Sequence, residues 1–317
     1  MTLRIVEQDV WSPRPSSQGR ADASGLPDLR AVVMLAGAVR PGKLRRWSGR
    51  SALELPVGAQ RTVMDCWREQ LLALAETLGI DHLLVRVMMS GDCGLKPKTE
   101  RFGPLEIKIE QDPSAFRGTA GLISDISRQY DDSDQVLVSH AGQLLFEPLT
   151  TIARGLAKPE GDVTIAVEPE GVPSGLMLVR CGAMRGINPV GFVDLNEQAL
   201  PELAKDHRVK VARFANPPTR SVRTLSGYIA ALRAYHRRAS GRKDALGPFA
   251  EDWRPTFGIT EPGAKVASDV VLHDSVVLKG ARVEPGAVLV RSVICNGAVV
   301  ASGRHVVDQV VGLDRPM

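Results

Sequence analysis

The densest collection of residues able to do chemistry lies between Ala31 and Val57, reading AVVMLAGAVRPGKLRRWSGRSALELPV. Three glycines, Gly37, Gly42 and Gly49, alternate there with the cations Arg40, Lys43, Arg45, Arg46 and Arg50. Glycines let backbone N–H groups approach an anion, and cations neutralise it, so this stretch suits phosphate. It fits an ordinary solvated loop as well, because short motifs also match by chance. Two more glycine loops, Phe116-Arg117-Gly118-Thr119-Ala120-Gly121 and His140-Ala141-Gly142-Gln143, offer similar backbone.

These loops need a scaffold, and the apolar pattern supplies one. Ala31 to Leu35 is a short apolar run bounded by glycine, as a buried parallel strand is. A helix pattern runs from Val63 to Leu78, and HLLVRVMM, His82 to Met89, reads as a second strand ended by Ser90-Gly91-Asp92. Leu105 to Glu110 alternates as a half-exposed strand would, and Leu122 to Tyr130 reads as helix. Gln135 to Ser139 is another buried strand, and Leu145 to Leu156 reads as helix. Val163 to Val167 and Leu176 to Cys181 read as strands, and Leu195 to Ala204 and Tyr228 to Arg238 as helices. Such alternation predicts an α/β domain with a mostly parallel sheet covered on both faces. Ligands of these sheets sit beyond the carboxyl ends of strands, where the Gly37, Gly118 and Gly142 loops fall.

The chain of 317 residues divides on composition into a flexible polar arm over 1–29, the α/β domain over 30–240, a connector over 241–263 and a repeat over 264–317. The net charge is +4, and its excess gathers in the 40–50 loop and over 213–243. That favours a small phosphorylated ligand over nucleic acid, because no basic stripe is interleaved with stacking aromatics. Cys66, Cys93, Cys181 and Cys295 form no CxxC pair, as expected of reduced thiols in a cytoplasmic protein. Neither a secretory h-region nor a stretch of membrane-spanning length is found, so no membrane partner is expected.

From Val266 the pattern changes to VASDVV LHDSVV LKGARV EPGAVL VRSVIC NGAVVA SGRHVV, a period of six. Val271, Val277, Val283, Leu289 and Cys295 mark the period, and Ser275, Ala281, Ala287, Val293 and Val299 follow four positions later. Small residues at a fixed offset suit the corners of a triangular coil, and the run has length for about two coils. It resembles the hexapeptide repeats of left-handed parallel β-helices.

An α/β domain with a glycine loop after its first strand, followed by such a repeat, resembles the sugar-phosphate nucleotidyltransferases, or NDP-sugar pyrophosphorylases. The resemblance spans Ala31 to Leu313. Leu35-Ala36-Gly37 opens like the family's L-A-G-G-x-G-T-R-L, with Ala38 at its second glycine and Gly42-Lys43-Leu44 near its end. Leu55-Pro56-Val57-Gly58 ends like K-P-x-x-P-V-G, with Ala52 at its lysine; Gly118-Thr119-Ala120, preceded by Gln111, is similar to G-T-A. The strand Val136 to Gln143 matches one ending in N-G-D. The resemblance implies joining of a nucleoside triphosphate to a sugar 1-phosphate with release of pyrophosphate, a reaction of positioning and charge neutralisation by Mg²⁺ and cations.

It also implies site residues. Leu35, Ala36, Gly37, Ala38, Gln111, Gly118, Thr119 and Gly142 fall at nucleotide-contacting positions, and Lys43 and Arg40 at phosphate-contacting ones. The family's two magnesium-binding aspartates are absent. Gln143 holds the first position, and Arg220-Ser221-Val222-Arg223-Thr224-Leu225-Ser226-Gly227-Tyr228 has no carboxylate at the second but two arginines, Arg220 and Arg223. Hard cations need anionic oxygens, so no metal ligand is assigned and Mg²⁺ is expected only if the protein is active. Arginines can neutralise phosphate directly.

Asp194 and Glu197 read as a helix start, with sugar binding as the alternative. Asp92 and Asp194 are the carboxylates left to supply a rearranged site. His273 and His305 in the repeat suggest an acyltransferase base, for which two coils are few. The expected protein therefore binds a nucleotide, NDP-sugar or sugar phosphate, with weakened or lost catalysis, as a regulatory subunit of a related active chain or a homo-oligomer. An active sugar-1-phosphate nucleotidyltransferase and a non-catalytic oligomeric scaffold are the alternatives.

Overall fold

A computed structural model describes residue 26 and residues 28–37, 42–89, 94–113, 117–187, 192–240 and 255–312. Ala38, Arg40, Asp92 and Cys93 lie outside the described residues, as do the 1–25 arm and most of the connector.

The first half runs β1 (Leu29–Leu35), α1 (Lys43–Ser48), β2 (Pro56–Gly58), β3 (Arg61–Thr62), α2 (Val63–Leu78), β4 (Leu83–Met89), β5 (Lys98–Phe102), β6 (Leu105–Gln111) and α3 (Gly118–Ser127). It continues through β7 (Gln135–His140), β8 (Gln143–Leu145), α4 (Leu149–Ala157), β9 (Val163–Val167), β10 (Pro173–Arg180) and α5 (Cys181–Arg185). Then follow α6 (Leu200–Asp206), β11 (Val209–Arg213), β12 (Thr219–Ser221) and α7 (Leu225–Ala239). Eight of these strands form one sheet in the order β11-β9-β10-β7-β1-β4-β6-β5. It is mostly parallel; β10 runs antiparallel to β7 and β9, and β5 antiparallel to β6.

Strand alternation distributes the core between two helical layers. Val32 and Met34 of β1 pack with α2, α4 and α7, whereas Ala31 and Val33 pack with α3, α5 and α6. The continuous apolar run of β1 follows from burial on both faces. α2 has the sequence periodicity expected, with Val63, Trp67, Leu71 and Leu74 buried on one face. It begins with a capping box between Thr62 and Asp65 and ends at Gly79 with φ of 64°.

Three elements differ from the sequence expectation. Gln143–Leu145 is a strand and α4 starts only at Leu149, because Pro148 fixes the backbone that opens the helix. The alternating segment β6 departs from half-exposure at Glu106, which is buried because His82, Arg101 and Lys108 pair with its carboxylate. Leu195–Ala204 divides into a wide turn, Leu195–Ala199, and α6, which begins one residue before Pro201.

The C-terminal part comprises β13 (Gly258–Thr260), β14 (Lys265–Val266), β15 (Val271–His273), β16 (Ser275–Val277), β17 (Arg282–Val283), β18 (Val288–Val290), β19 (Val293–Ile294), β20 (Val299–Val300), β21 (His305–Val307) and β22 (Val310–Val311). They form three parallel sheets, β13-β16-β19-β22, β14-β17-β20 and β15-β18-β21, compatible with a β-helix. The first of them lies within the stretch read as connector. The repeat is not a strict multiple of six. Gly258 pairs with Ser275, Val271 with Val288 and Arg282 with Val299, each seventeen residues on. The interior row is Val277, Val283, Leu289, Ile294, Val300 and Val306, spaced six, six, five, six and six. The short side turns at Asp274, Arg291 and Asp308, which have φ of 48°, 46° and 52°. Consequently Val271, an interior position on a strict period, is 53% exposed, and Val299, the last of the small-residue row four positions on, is 56% exposed.

The coil is fixed to the α/β domain. Ile259, Val276, Val293 and Val310 share the core of α2 and α7. Arg50 donates two hydrogen bonds to Glu261 at 2.5 and 2.8 Å, and Arg233 pairs with the fully buried Asp274 at 2.6 Å. Asp274 also accepts backbone N–H groups from Thr256 and Phe257, whose ring stacks on His236 at 5.3 Å. No helix among the described residues is long and apolar enough to cross a membrane.

Candidate functional site

The chain leaves β1 toward β4 on one side of the sheet and later returns through β7 to the other, so β1 and β7 flank the point where strand order reverses. A crevice opens beyond the carboxyl ends at such a point. Here it has two lobes, of about 350 Å³ and about 540 Å³. Both are lined by Leu35, His140, Gly142, Ser221 and Arg223, which form their junction.

The junction is built on backbone pairing. β12 lies antiparallel to β8, with Ser221 opposite Gln143, and Val222 N–H donates to the Gly142 carbonyl at 3.0 Å. Trp67 on α2 donates its indole N–H to the Gln143 carbonyl at 2.9 Å. Gln143 is buried, and its Nε2 donates to the hydroxyl of Ser139 at 2.9 Å. Thr224 caps α7 through the Gly227 N–H, which sets Arg223 one residue before the cap. The Arg223 stem lies on Gly142: a Cβ there would stand 2.9 Å from Arg223 Cγ and 3.0 Å from Ala52 Cβ. Glycine at 142 is what allows the arginine to cross the strand end.

The first lobe holds Leu35, Ala36 and Gly37 together with Gly42, Arg45, Arg50 and Ser51. The second brings in Thr119, Gln143, Glu168, Asp194 and Arg220. Gly118 lies beneath this wall. Its φ is +71°, and a side chain there would collide with the Val193 carbonyl, so the α3 start and the 193–195 segment meet backbone to backbone. Leu195 N–H donates to the Thr119 hydroxyl at 3.2 Å and Ala120 N–H to the Val193 carbonyl at 3.2 Å, which completes the contact.

Several candidate residues stand elsewhere. Lys43 opens the short helix α1 with its Nζ 5.6 Å from the Trp47 ring, and it lines neither lobe. Gln111 is exposed at the end of β6, opposite Met89, on the far side of β4 from the cleft. Asp194 accepts the Glu197 N–H at 2.9 Å, the capping role expected of it, while Glu197 itself is exposed and outside both lobes. Arg220 lies over the Phe146 ring at 5.5 Å.

Residues without a role in the sequence reading also line the cleft. His140 is the foremost: among the described residues none hydrogen-bonds its ring, and it lies at the junction, its Cδ2 2.7 Å from where a Gly175 Cβ would be. Burial holds its pKa below the usual histidine value, Arg223 adds to this, and Asp194 opposes it. A neutral imidazole can donate one hydrogen bond and accept another. His140 was legible only as the residue before Ala141-Gly142-Gln143. Ser221 and Glu168 required the fold, whereas Arg45 was already among the cations of the 40–50 loop.

The lining carries four arginines, Arg45, Arg50, Arg220 and Arg223, against the carboxylates Glu168 and Asp194. Arg50 is engaged by Glu261 of the coil; burial works against its charge, and the Glu261 hydrogen bonds and attraction outweigh that. The balance is cationic. No group of three or more His, Cys, Asp and Glu among the described residues could hold a metal ion. The arrangement can therefore accept a phosphate through guanidinium, imidazole and backbone, while Gln143 and Ser221 offer only neutral oxygens.

No family model and no curated protein matches the chain. The crystal structure of HddC from Yersinia pseudotuberculosis is similar to it at 12% identity and a TM-score of 0.46, covering 65% of this chain and 100% of that one.

Proposed function

We propose that this chain is a nucleotidyltransferase-fold protein with a C-terminal left-handed β-helix, which binds a nucleotide, NDP-sugar or sugar 1-phosphate without Mg²⁺-dependent turnover. It acts in the cytoplasm as a regulatory or partner subunit, assembled with copies of itself or with a related active chain. One observation carries the reading: Gln143 faces Ser221 across β8 and β12, flanked by Arg220 and Arg223, where the resemblance calls for two carboxylates. The donor set does not fit Mg²⁺, since a neutral amide and a hydroxyl bring no anionic charge to a hard cation. It does suit phosphate, whose charge guanidinium groups neutralise.

The test incubates the purified protein with Mg²⁺, each nucleoside triphosphate and a panel of hexose 1-phosphates, following pyrophosphate release and, by calorimetry, binding. Binding without pyrophosphate release is the expected result. Turnover would refute lost catalysis and point to a rearranged site, with Asp194 as the first carboxylate to replace. Neither binding nor turnover would leave a scaffold.

A further inference from the structure

The cleft junction differs from a metal site in the sign of its charge as well as in lacking ligands. One of the two amide N–H groups of Gln143 donates to the Ser139 hydroxyl, and its Oε1 stands 3.2 Å from the Cβ position of Gly175. Ser221 faces it with a hydroxyl. The nearest cation is part of the structure, because the Arg223 stem packs on Gly142, with Cγ and Cδ 2.9 and 3.4 Å from the Cβ position there. Both lobes meet at this residue. The carboxylates, Glu168 and Asp194, line the larger lobe only, and Asp194 is engaged by the Glu197 backbone.

We infer that the cleft takes its phosphorylated ligand as the free anion, with Arg223 standing where a divalent cation would, so that Mg²⁺ opposes binding. This rests on the phosphate-binding reading above and adds to it the metal-free form of the ligand. Two physical effects act in the same direction. Complexation by Mg²⁺ removes two charges from the ligand and weakens its attraction to Arg45, Arg220 and Arg223. A dication held on the phosphates would also face the Arg223 guanidinium, and like charges in a partly desolvated crevice repel.

The probe is inorganic pyrophosphate, titrated into the full-length protein by calorimetry at constant ionic strength. Sodium chloride replaces magnesium chloride in the metal-free arm, because screening alone weakens exposed charge pairs. Excess Mg²⁺ is expected to weaken binding about tenfold, and EDTA to leave the metal-free affinity unchanged. Arg223→Gln should weaken metal-free binding about 10- to 100-fold, the range of a lost charge-assisted contact. It should also shrink the difference between the two arms. Equal or tighter binding with Mg²⁺ would overturn this inference and leave the phosphate-binding reading standing. Absence of pyrophosphate and nucleotide binding in both arms would overturn both.

Discussion

Replacing Glu261 by glutamine separates the structural use of the cleft cations from the ligand binding proposed for them. Glu261 accepts two N–H groups from Arg50 and one from the Lys279 backbone at 2.7 Å. Its side chain is 12% exposed and that of Arg50 23%, so solvent screens the pair only partly. Glutamine keeps the shape but converts one accepting oxygen into a donor, which must face either a guanidinium N–H or the Lys279 N–H. At least one charge-assisted hydrogen bond is lost, about 1.5–3 kcal/mol. At roughly 2.1 cal/mol/K of unfolding entropy per residue, that lowers Tm by about 2–5 °C for a chain of this length unfolding as one unit. Ligand binding should move the other way: the released Arg50 adds a cation to the first lobe, so pyrophosphate affinity is retained or increased. Differential scanning calorimetry and titration of the same preparation read both quantities. Unchanged Tm with a tenfold loss of binding would refute this, since it would mean that Glu261 holds the ligand rather than Arg50.

Four further outcomes follow from particular contacts. Arg291 has φ of 46° while its pairing with Asp308 is exposed, so Arg291→Asn should stabilise the coil by about 0.5–1 kcal/mol in urea titration, as relief of a left-handed backbone outweighs a surface ion pair. Arg233→Met strips the guanidinium from the fully buried Asp274 and should cost about 3–5 kcal/mol, measured by denaturant midpoint at constant m-value. Gly118→Ala forces a side chain against the Val193 carbonyl at positive φ; it should destabilise by more than about 1 kcal/mol and displace Thr119 from the cleft, seen as weaker ligand binding. Burial lowers the pKa of both His140 and His236. The unfolded chain therefore binds protons that the folded one refuses, and stability, complete above about pH 6.5, should fall as pH drops through that value. Tm across pH 5 to 8 measures the effect, and His140→Gln with His236→Gln should flatten it.

The apolar rhythm of the sequence was sufficient wherever burial has a single cause. A strand covered by helices on both faces must be largely apolar, so β1, β4, β7 and β9 were legible within a residue or two, and the helix pattern of Val63 to Leu78 coincided with α2. The glycine loops also pointed to the end of the sheet where the cleft lies, because strand-to-helix direction fixes which loops share an edge.

Tertiary structure decided what local pattern leaves open. The three residues of β8 form a strand only because β12, more than seventy residues later, supplies its partner. The same pairing determines that Gln143 meets Ser221 and that Arg223 crosses Gly142, so the charge of the junction depends on residues distant in the chain. Arg50 belongs to a cationic loop in the sequence but is held by Glu261 in the fold, and Lys43 turns to Trp47 rather than the cleft. In the coil, hydrophobic spacing alone could not distinguish eighteen residues from seventeen. The left-handed corners at Asp274, Arg291 and Asp308 shorten one side of each turn, and inter-coil hydrogen bonding sets that register. Sequence by itself determined which segments must be buried and which loops gather at one edge; only packing at long range decided which charged side chains face the cleft and which are consumed in holding the two parts together.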